Sequence, residues 1–441
     1  MAVDRNLFLY DLAVVAIMKN EGSYAKEWLD YHLLAGVNHF YIYDNESPDN
    51  LKEVLQPYIE KNIVTYIFYP GKARQYEAYN DAAKNFRFSC RYMAFIDADE
   101  FIFPQKNQSI VEVLDEVLSD KPNAGGLGIN NFYFGSNYQE KADLTRGVLE
   151  RFTRRNSVED TPLLNDVHVG VAQIKTITIP RKIDYFYNPH FAHYYENFTA
   201  INSNGVPIAT YSSYPPTVEK IVMNHYRDKS HEEYFKNKVQ RGTADAVFNI
   251  YKEDGYSHDT SANEVFDDSI LKYRDERKIF YGVNEENFLG FFAEKNKINN
   301  DKLFNVLMQN LSPLFAKNIP REFLLGKMET FLTCRAASVY LRENIMNENA
   351  GNFFEEMSLQ AIYFTMTTEV SLPDIRLLID ELPKILKLKY PVVKDIRKGL
   401  EQIIPQILNM YRVYDPMAWK KFVNLKYLLE MLQIFDEDEK K

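Results

Sequence analysis

The chain has 441 residues, 62 of them acidic and 52 basic, for a net charge of −10. That balance argues against general nucleic-acid binding, so no nucleic-acid partner is expected. Its only cysteines, Cys90 and Cys334, exclude a disulfide framework and a cysteine zinc site, and the length allows two domains with cores of their own.

The opening MAVDRNLFLYDLAVVAIMKN carries Asp4 and Asp11 and an apolar run too short to span a bilayer. No secretory signal is evident there, and a cytoplasmic location is expected. Residues 12–20, LAVVAIMKN, form a continuous apolar run, the pattern of a strand covered on both faces. Ser23 is placed to cap the helix that follows, whose Tyr24, Trp28, His32 and Ala35 share a face before Gly36 ends it. HFYIYDN (39–45) reads as the second strand, SPDN as a turn, and Leu51, Val54, Leu55 and Tyr58 as the stripe of a second helix. IVTYIFYP (63–70) is the third strand, and residues 75–90, Cys90 included, a third helix.

A fourth strand leads into YMAFIDADEFIFP (92–104), where apolar residues stop at three carboxylates, Asp97, Asp99 and Glu100. If the strand continues through them, Asp97 and Asp99 face the same way and share one divalent cation. Carboxylates suit hard ions such as Mn²⁺ or Mg²⁺, which keep coordination positions for substrate phosphates. An isolated D-x-D is also what an acidic turn after an edge strand looks like. The alternation of strands and helices predicts an α/β fold with a mainly parallel sheet covered by helices, and ligands of such sheets bind beyond the strands' C-terminal ends. Lys19, Asn20, Glu21, Asp44, Asn45 and the acidic triplet all fall there. Neither a G-x-G-x-x-G after the first strand nor a phosphate-binding G-x-x-x-x-G-K-[ST] occurs, so a nucleotide on this sheet is expected to be held through a metal.

Several spaced blocks carry a family resemblance. IMKNEGSYAKEWLDYHLLAGVNHFYIYDNESPDN, GKARQYEAYNDAA, FIDADEFIF, NNFYFGSN (130–137), ERFTRR (150–155), IKTITIPRKI (174–183), NPHFAHYY (188–195) and NHYRDKSHEEYFKNKVQRG (224–242) together resemble glycosyltransferase family 92 and related family 2-like enzymes of the GT-A fold, over residues 12–245. The chain departs where Phe132 and Tyr133 stand in a block that usually contains tryptophan. The resemblance implies an inverting, metal-dependent transfer of a hexose from a UDP-sugar to a glycan or lipid-linked acceptor in surface polysaccharide synthesis. UDP-galactose is the first choice of donor, with UDP-glucose or an N-acetylated hexosamine as alternatives. On these residues it implies Asp97, Asp99 and His225 as ligands of Mn²⁺ or Mg²⁺. Asp44, Asn20 and Glu21 would line the nucleoside edge, Gln75, Asn80 and Asp81 the pocket, and Lys229 and Ser230 would reach the diphosphate. Glu150 is the first candidate for general base and Asp166 the second, with a salt bridge from Glu150 to Arg151 or Arg154 as the structural alternative. A nucleotide-sugar-binding scaffold without turnover is a second reading, and a sugar nucleotidyltransferase a third that MKNEGS fits poorly.

After residue 245 the pattern changes. The sequence divides into a catalytic domain (1–245), a polar linker (246–285) and a helical domain (286–441) punctuated by Pro383, Pro391 and Pro405. Between Lys384 and Arg412, lysines such as Lys387, Lys394 and Lys398 interleave with apolar residues. That is either a basic amphipathic surface for peripheral contact with the inner membrane face or the wet side of a helical bundle.

Overall fold

A computed structural model describes residues 10–86, 90–195, 197–242, 251, 259–275 and 285–296, all within the first of the chain's two units, residues 1–298. The segments beyond 298 that the sequence predicts to be helical, including 384–412, lie outside the described residues. Strands β1 (Tyr10–Met18), β2 (His39–Asp44), β3 (Val64–Phe68) and β4 (Cys90–Phe95) alternate with helices α1 (Gly22–Leu34), α2 (Leu51–Glu60) and α3 (Gln75–Phe86). They are followed by β5 (Glu100–Pro104), α4 (Ile110–Leu118), β6 (Ala124–Tyr133), β7 (Ile174–Thr178), β8 (Thr199–Ile201), β9 (Pro207–Ile208) and β10 (Ile221–His225).

The strands form one sheet in the order β9-β8-β6-β7-β4-β1-β2-β3, with β10 pairing β5 and β6. Neighbours β1/β2, β1/β4, β2/β3, β6/β8 and β6/β10 run parallel, while β7 is antiparallel between β4 and β6. The unbroken apolar run of β1 has a direct cause: Leu12, Val14, Ala16 and Met18 enter one core layer, and Ala13, Val15 and Ile17 enter the other. Trp28 and Leu29 of α1 cover the first layer; Ala78, Tyr79 and Ala82 of α3 cover the second.

Local differences from the sequence expectation have local causes. Ser23 does not cap α1; its side chain is exposed, and the Gly22 amide instead donates to Asp49 Oδ2 at 2.8 Å, a cap delivered from the next connection. Gly36 ends α1 as expected, at φ +108°. Helix α3 stops at Phe86, and Cys90 opens β4, where it is buried. Residues 259–275 and 285–296, which the sequence divides between linker and helical domain, pack on the first core through Ile270, Tyr273, Phe288, Leu289 and Phe292. Asn296 and Asn38 exchange hydrogen bonds of 2.9 and 3.0 Å across that contact.

Candidate active site

At the C-terminal ends of β1, β2 and β4 a cleft opens with about 190 Å³ of internal space, lined in part by Lys19, Glu21, Asn45, Gln75, Asp97, Asp99, His190, His225, Lys238 and Arg241. The strand does not continue through the carboxylates. β4 ends at Phe95, and Asp97–Asp99 form the turn into β5, so alternation along a strand is not what orients the two aspartates. The backbone amide of Asp97 donates to Glu100 Oε2 at 2.9 Å, and that bond closes the turn. Antiparallel pairing of β10 with β5 sets His225 opposite Glu100, which brings the imidazole Nε2 to 3.3 Å from Asp99 Oδ1.

Cations hold the acidic turn together. Lys175, fully buried in β7, places Nζ 2.9 Å from Asp97 Oδ2 and 3.3 Å from Glu100. Lys238 Nζ stands 2.7 Å from Asp99 Oδ2. Burial alone would raise both aspartate pKa values, but Lys175 pulls Asp97 below its usual range, and Lys238 with His225 pulls Asp99 well below it. Burial wins at Glu100, whose pKa is raised. Gln75, at the start of α3, donates to Asp97 Oδ1 at 2.6 Å, and Arg241 bonds the Lys19 carbonyl at 2.6 Å and also Glu21. His190 Nδ1 lies 3.2 Å from the Ile174 carbonyl, which only accepts, so Nδ1 carries the proton and Nε2 is the acceptor. Burial, then Lys175, lowers its pKa to about 3, so the ring is neutral near pH 7.

The other expected site residues fall elsewhere. Asn20 sits in the β1–α1 turn at φ +57° and accepts nothing on its buried Oδ1. Asp44 is buried and accepts from Tyr66 Oη at 2.7 Å and the Ser47 amide at 2.9 Å, so it shapes the loop after β2. Asn80 exchanges 2.9 and 2.7 Å bonds with the backbone of Phe186, and Asp81 accepts from Tyr43 Oη at 2.6 Å. Ser230 caps the short helix His231–Tyr234 in a reciprocal arrangement with Glu233, which commits its hydroxyl. Lys229 is the exception: it is buried with its ammonium 4.7 Å from the ring centroid of Tyr24, and Asp99 and Glu21 of the cleft are the carboxylates that act on it most strongly. Glu150 pairs at 2.7 Å with Arg274, neither Arg151 nor Arg154 being its partner, and Asp166 is exposed at a hairpin tip with φ +63°. Neither reaches the cleft wall.

Lys175, Lys238, Arg241 and His190 escaped the sequence reading. A lysine inside IKTIT, a strand whose other residues are uncharged and β-branched, was the available signal for Lys175, because a lone cation there requires a buried partner. Among the described residues no three His, Cys, Asp or Glu side chains already stand in coordinating geometry, since Asp97 is turned toward Lys175. The donor set nevertheless suits a hard divalent cation: His225 Nδ1 stands 3.6 Å from Glu100 Oε1, which turns Nε2 toward the ionised carboxylate of Asp99, with that of Asp97 in the same turn.

The family model for glycosyltransferase family 92 matches residues 19–263, more than half of the chain. The chain belongs to glycosyltransferase family 92. Its α/β architecture is accordingly the GT-A fold. It is 32% identical over 147 residues to a glycosyltransferase family 92 protein of Oryza sativa subsp. japonica, covering 33% of this chain and 25% of that protein. A second family 92 protein, from Ricinus communis, is 23% identical over 254 residues, covering 55% of this chain and 40% of that one. A galactan β-1,4-galactosyltransferase of Arabidopsis thaliana is 31% identical over 99 residues, 20% of this chain and 19% of that enzyme. The matched portions thus span less than half of each relative's length. Among solved structures, Staphylococcus aureus TarS 1-349 in complex with UDP aligns over 81% of this chain and 92% of that one, at 12% identity and a TM-score of 0.28. No helix among the described residues is long and apolar enough to cross a membrane.

Proposed function

We propose that the family 92 domain of this chain transfers a hexose from a UDP-sugar to a glycan hydroxyl with a divalent cation bound in the cleft. The observation that carries the reading is the meeting of Asp97, Asp99 and His225 with the cations Lys238 and Arg241 beyond the C-terminal ends of the parallel strands. Asp97, Asp99 and His225 would hold Mn²⁺ or Mg²⁺, which when bound neutralises charge developing on the departing diphosphate. Lys238, beside Asp99, and Arg241, beside Glu21, take the same charge, and donor binding exchanges their present carboxylate partners for phosphate oxygens. Gln75 fixes the carboxylate of Asp97. Asn45, whose Nδ2 donates to the carbonyls of Tyr69 and Gly71 at 2.9 and 2.8 Å, keeps the β2 edge of the nucleoside side in shape.

His190 offers a neutral acceptor on the cleft wall. With a pKa of about 3 it stores a proton poorly, so it orients a substrate hydroxyl better than it deprotonates one. The resemblance to a galactan β-1,4-galactosyltransferase supports UDP-galactose as donor. Release of UDP from UDP-galactose, UDP-glucose, UDP-N-acetylglucosamine and UDP-N-acetylgalactosamine, each with Mn²⁺ and with excess EDTA, tests this reading. Cation-dependent release from one of them is expected. The proposal fails if the folded protein turns over none of them, or turns one over equally well in EDTA.

A further inference from the structure

The strands Ile183–Phe186 and Ala192–Tyr194 make a hairpin beside α3 whose buried face, Ile183, Phe186, Ala192 and Tyr194, completes the second core layer. Its other face leaves aromatic rings in water. Tyr185 and His193 are register partners stacked at 4.6 Å and 3°, and Tyr187 follows at 5.3 Å from the His193 ring. Tyr185 is 43% exposed and Tyr187 49%. Aromatic surface kept out of a core forgoes burial energy, and what separates these rings from other exposed aromatics such as Phe68 and Tyr138 is that they stack on one rigid hairpin whose loop lines the cleft.

The hairpin is also part of the cleft. Its loop supplies Pro189 and His190 to the cleft wall, and Tyr187 precedes Pro189 by two residues, a Cα separation of at most about 7 Å. The platform is fixed: Asn80 ties α3 to both backbone groups of Phe186, and Asn188 Oδ1 accepts from the amides of His190 and Phe191 at 2.9 and 2.8 Å. Charge narrows the occupant. Asp184 is exposed beside the rings, residues 183–194 include no lysine or arginine, and Lys182 just before them is engaged with the carbonyls of Pro122 and Ala124 at 2.8 Å, so the hairpin itself favours a neutral chain over an acidic polymer.

We propose that this aromatic face is the acceptor platform, binding a neutral glycan chain whose pyranose C–H faces stack on Tyr185 and Tyr187 while its growing end passes Pro189 into the cleft. The inference rests on the transferase reading above. Calorimetry on the full chain without donor separates the two, using disaccharides and hexasaccharides of β-1,4-galactan, β-1,4-glucan and β-1,4-linked N-acetylglucosamine, with UDP plus Mn²⁺ titrated in parallel. Stacking on two rings predicts that one hexasaccharide binds about tenfold tighter than its disaccharide. The Tyr185→Ala/Tyr187→Ala variant should lose that advantage, the Tyr185→Phe/Tyr187→Phe variant should keep it, and UDP affinity should be the same in all three proteins. The platform is refuted if the alanine variant binds the hexasaccharide as wild type does, if no hexasaccharide shows a length advantage, or if the same substitutions abolish binding to phosphatidylcholine vesicles instead. Loss of UDP binding in the wild type would instead overturn the transferase reading.

Discussion

Asp97, which faces the cleft, and Asp99, which is buried, stand two residues apart in one turn, and two ionised carboxylates so placed require compensating charge. Lys175 and Lys238 supply it at 2.9 and 2.7 Å. Glu150 has no such role: it is part of a half-exposed surface ion pair with Arg274. Glu150→Gln is therefore expected to change stability by less than about 1 kcal/mol and to leave kcat/KM within about threefold of wild type, measured by urea unfolding and UDP release. A loss of several orders of magnitude in kcat would restore Glu150 as the general base. The acidic triplet was legible in the sequence because its carboxylates are neighbours along the chain. Lys175 and Lys238 were not, because a lysine becomes a counter-ion only when folding brings a distant segment to it.

At the scale of elements, one buried ion pair joins three segments. Arg151 donates to both oxygens of Glu233 at 2.8 Å, and Tyr24 of α1 donates to Glu233 Oε1 at 2.9 Å, with both charged side chains almost fully buried. Burial pushes the Glu233 carboxyl up, but the bonds from Arg151 and Ser230 outweigh it and hold the pKa at about 2, against an ordinary 4.5. A carboxyl depressed in the folded state contributes stability that is complete above pH 4.5 and is lost as pH falls toward 2. Arg151→Met strands the charge and should cost about 3–5 kcal/mol at pH 7 by urea unfolding. The deficit should shrink near pH 3, where the stranded carboxyl protonates in the variant; a deficit independent of pH would show that Arg151 acts through packing alone. Nothing local marks this clamp, whereas the α1 stripe of Tyr24, Trp28, His32 and Ala35 was readable because helical periodicity is a local property. The turn at Asp97–Asp99 was misread as strand because strand-formers flank it on both sides.

The whole molecule places its chemistry by topology. Parallel pairing gathers the C-terminal ends of β1, β2 and β4 on one edge, and β10 returns antiparallel to β5 to bring His225 there. The alternation that predicts the parallel half is written in consecutive residues. The insertion of β7 between β4 and β6, which delivers Lys175 beneath the acidic turn, depends on pairing across some eighty residues and leaves no comparable trace. Calorimetric titration of wild type and Asp99→Asn with UDP, GDP, CDP and dTDP, with and without Mn²⁺, tests the account most directly. UDP should bind tightest, only with Mn²⁺, and should lose at least about a hundredfold in affinity in a variant that remains folded by circular dichroism. Tighter binding of GDP, or UDP binding unaltered by EDTA and by Asp99→Asn, would contradict it.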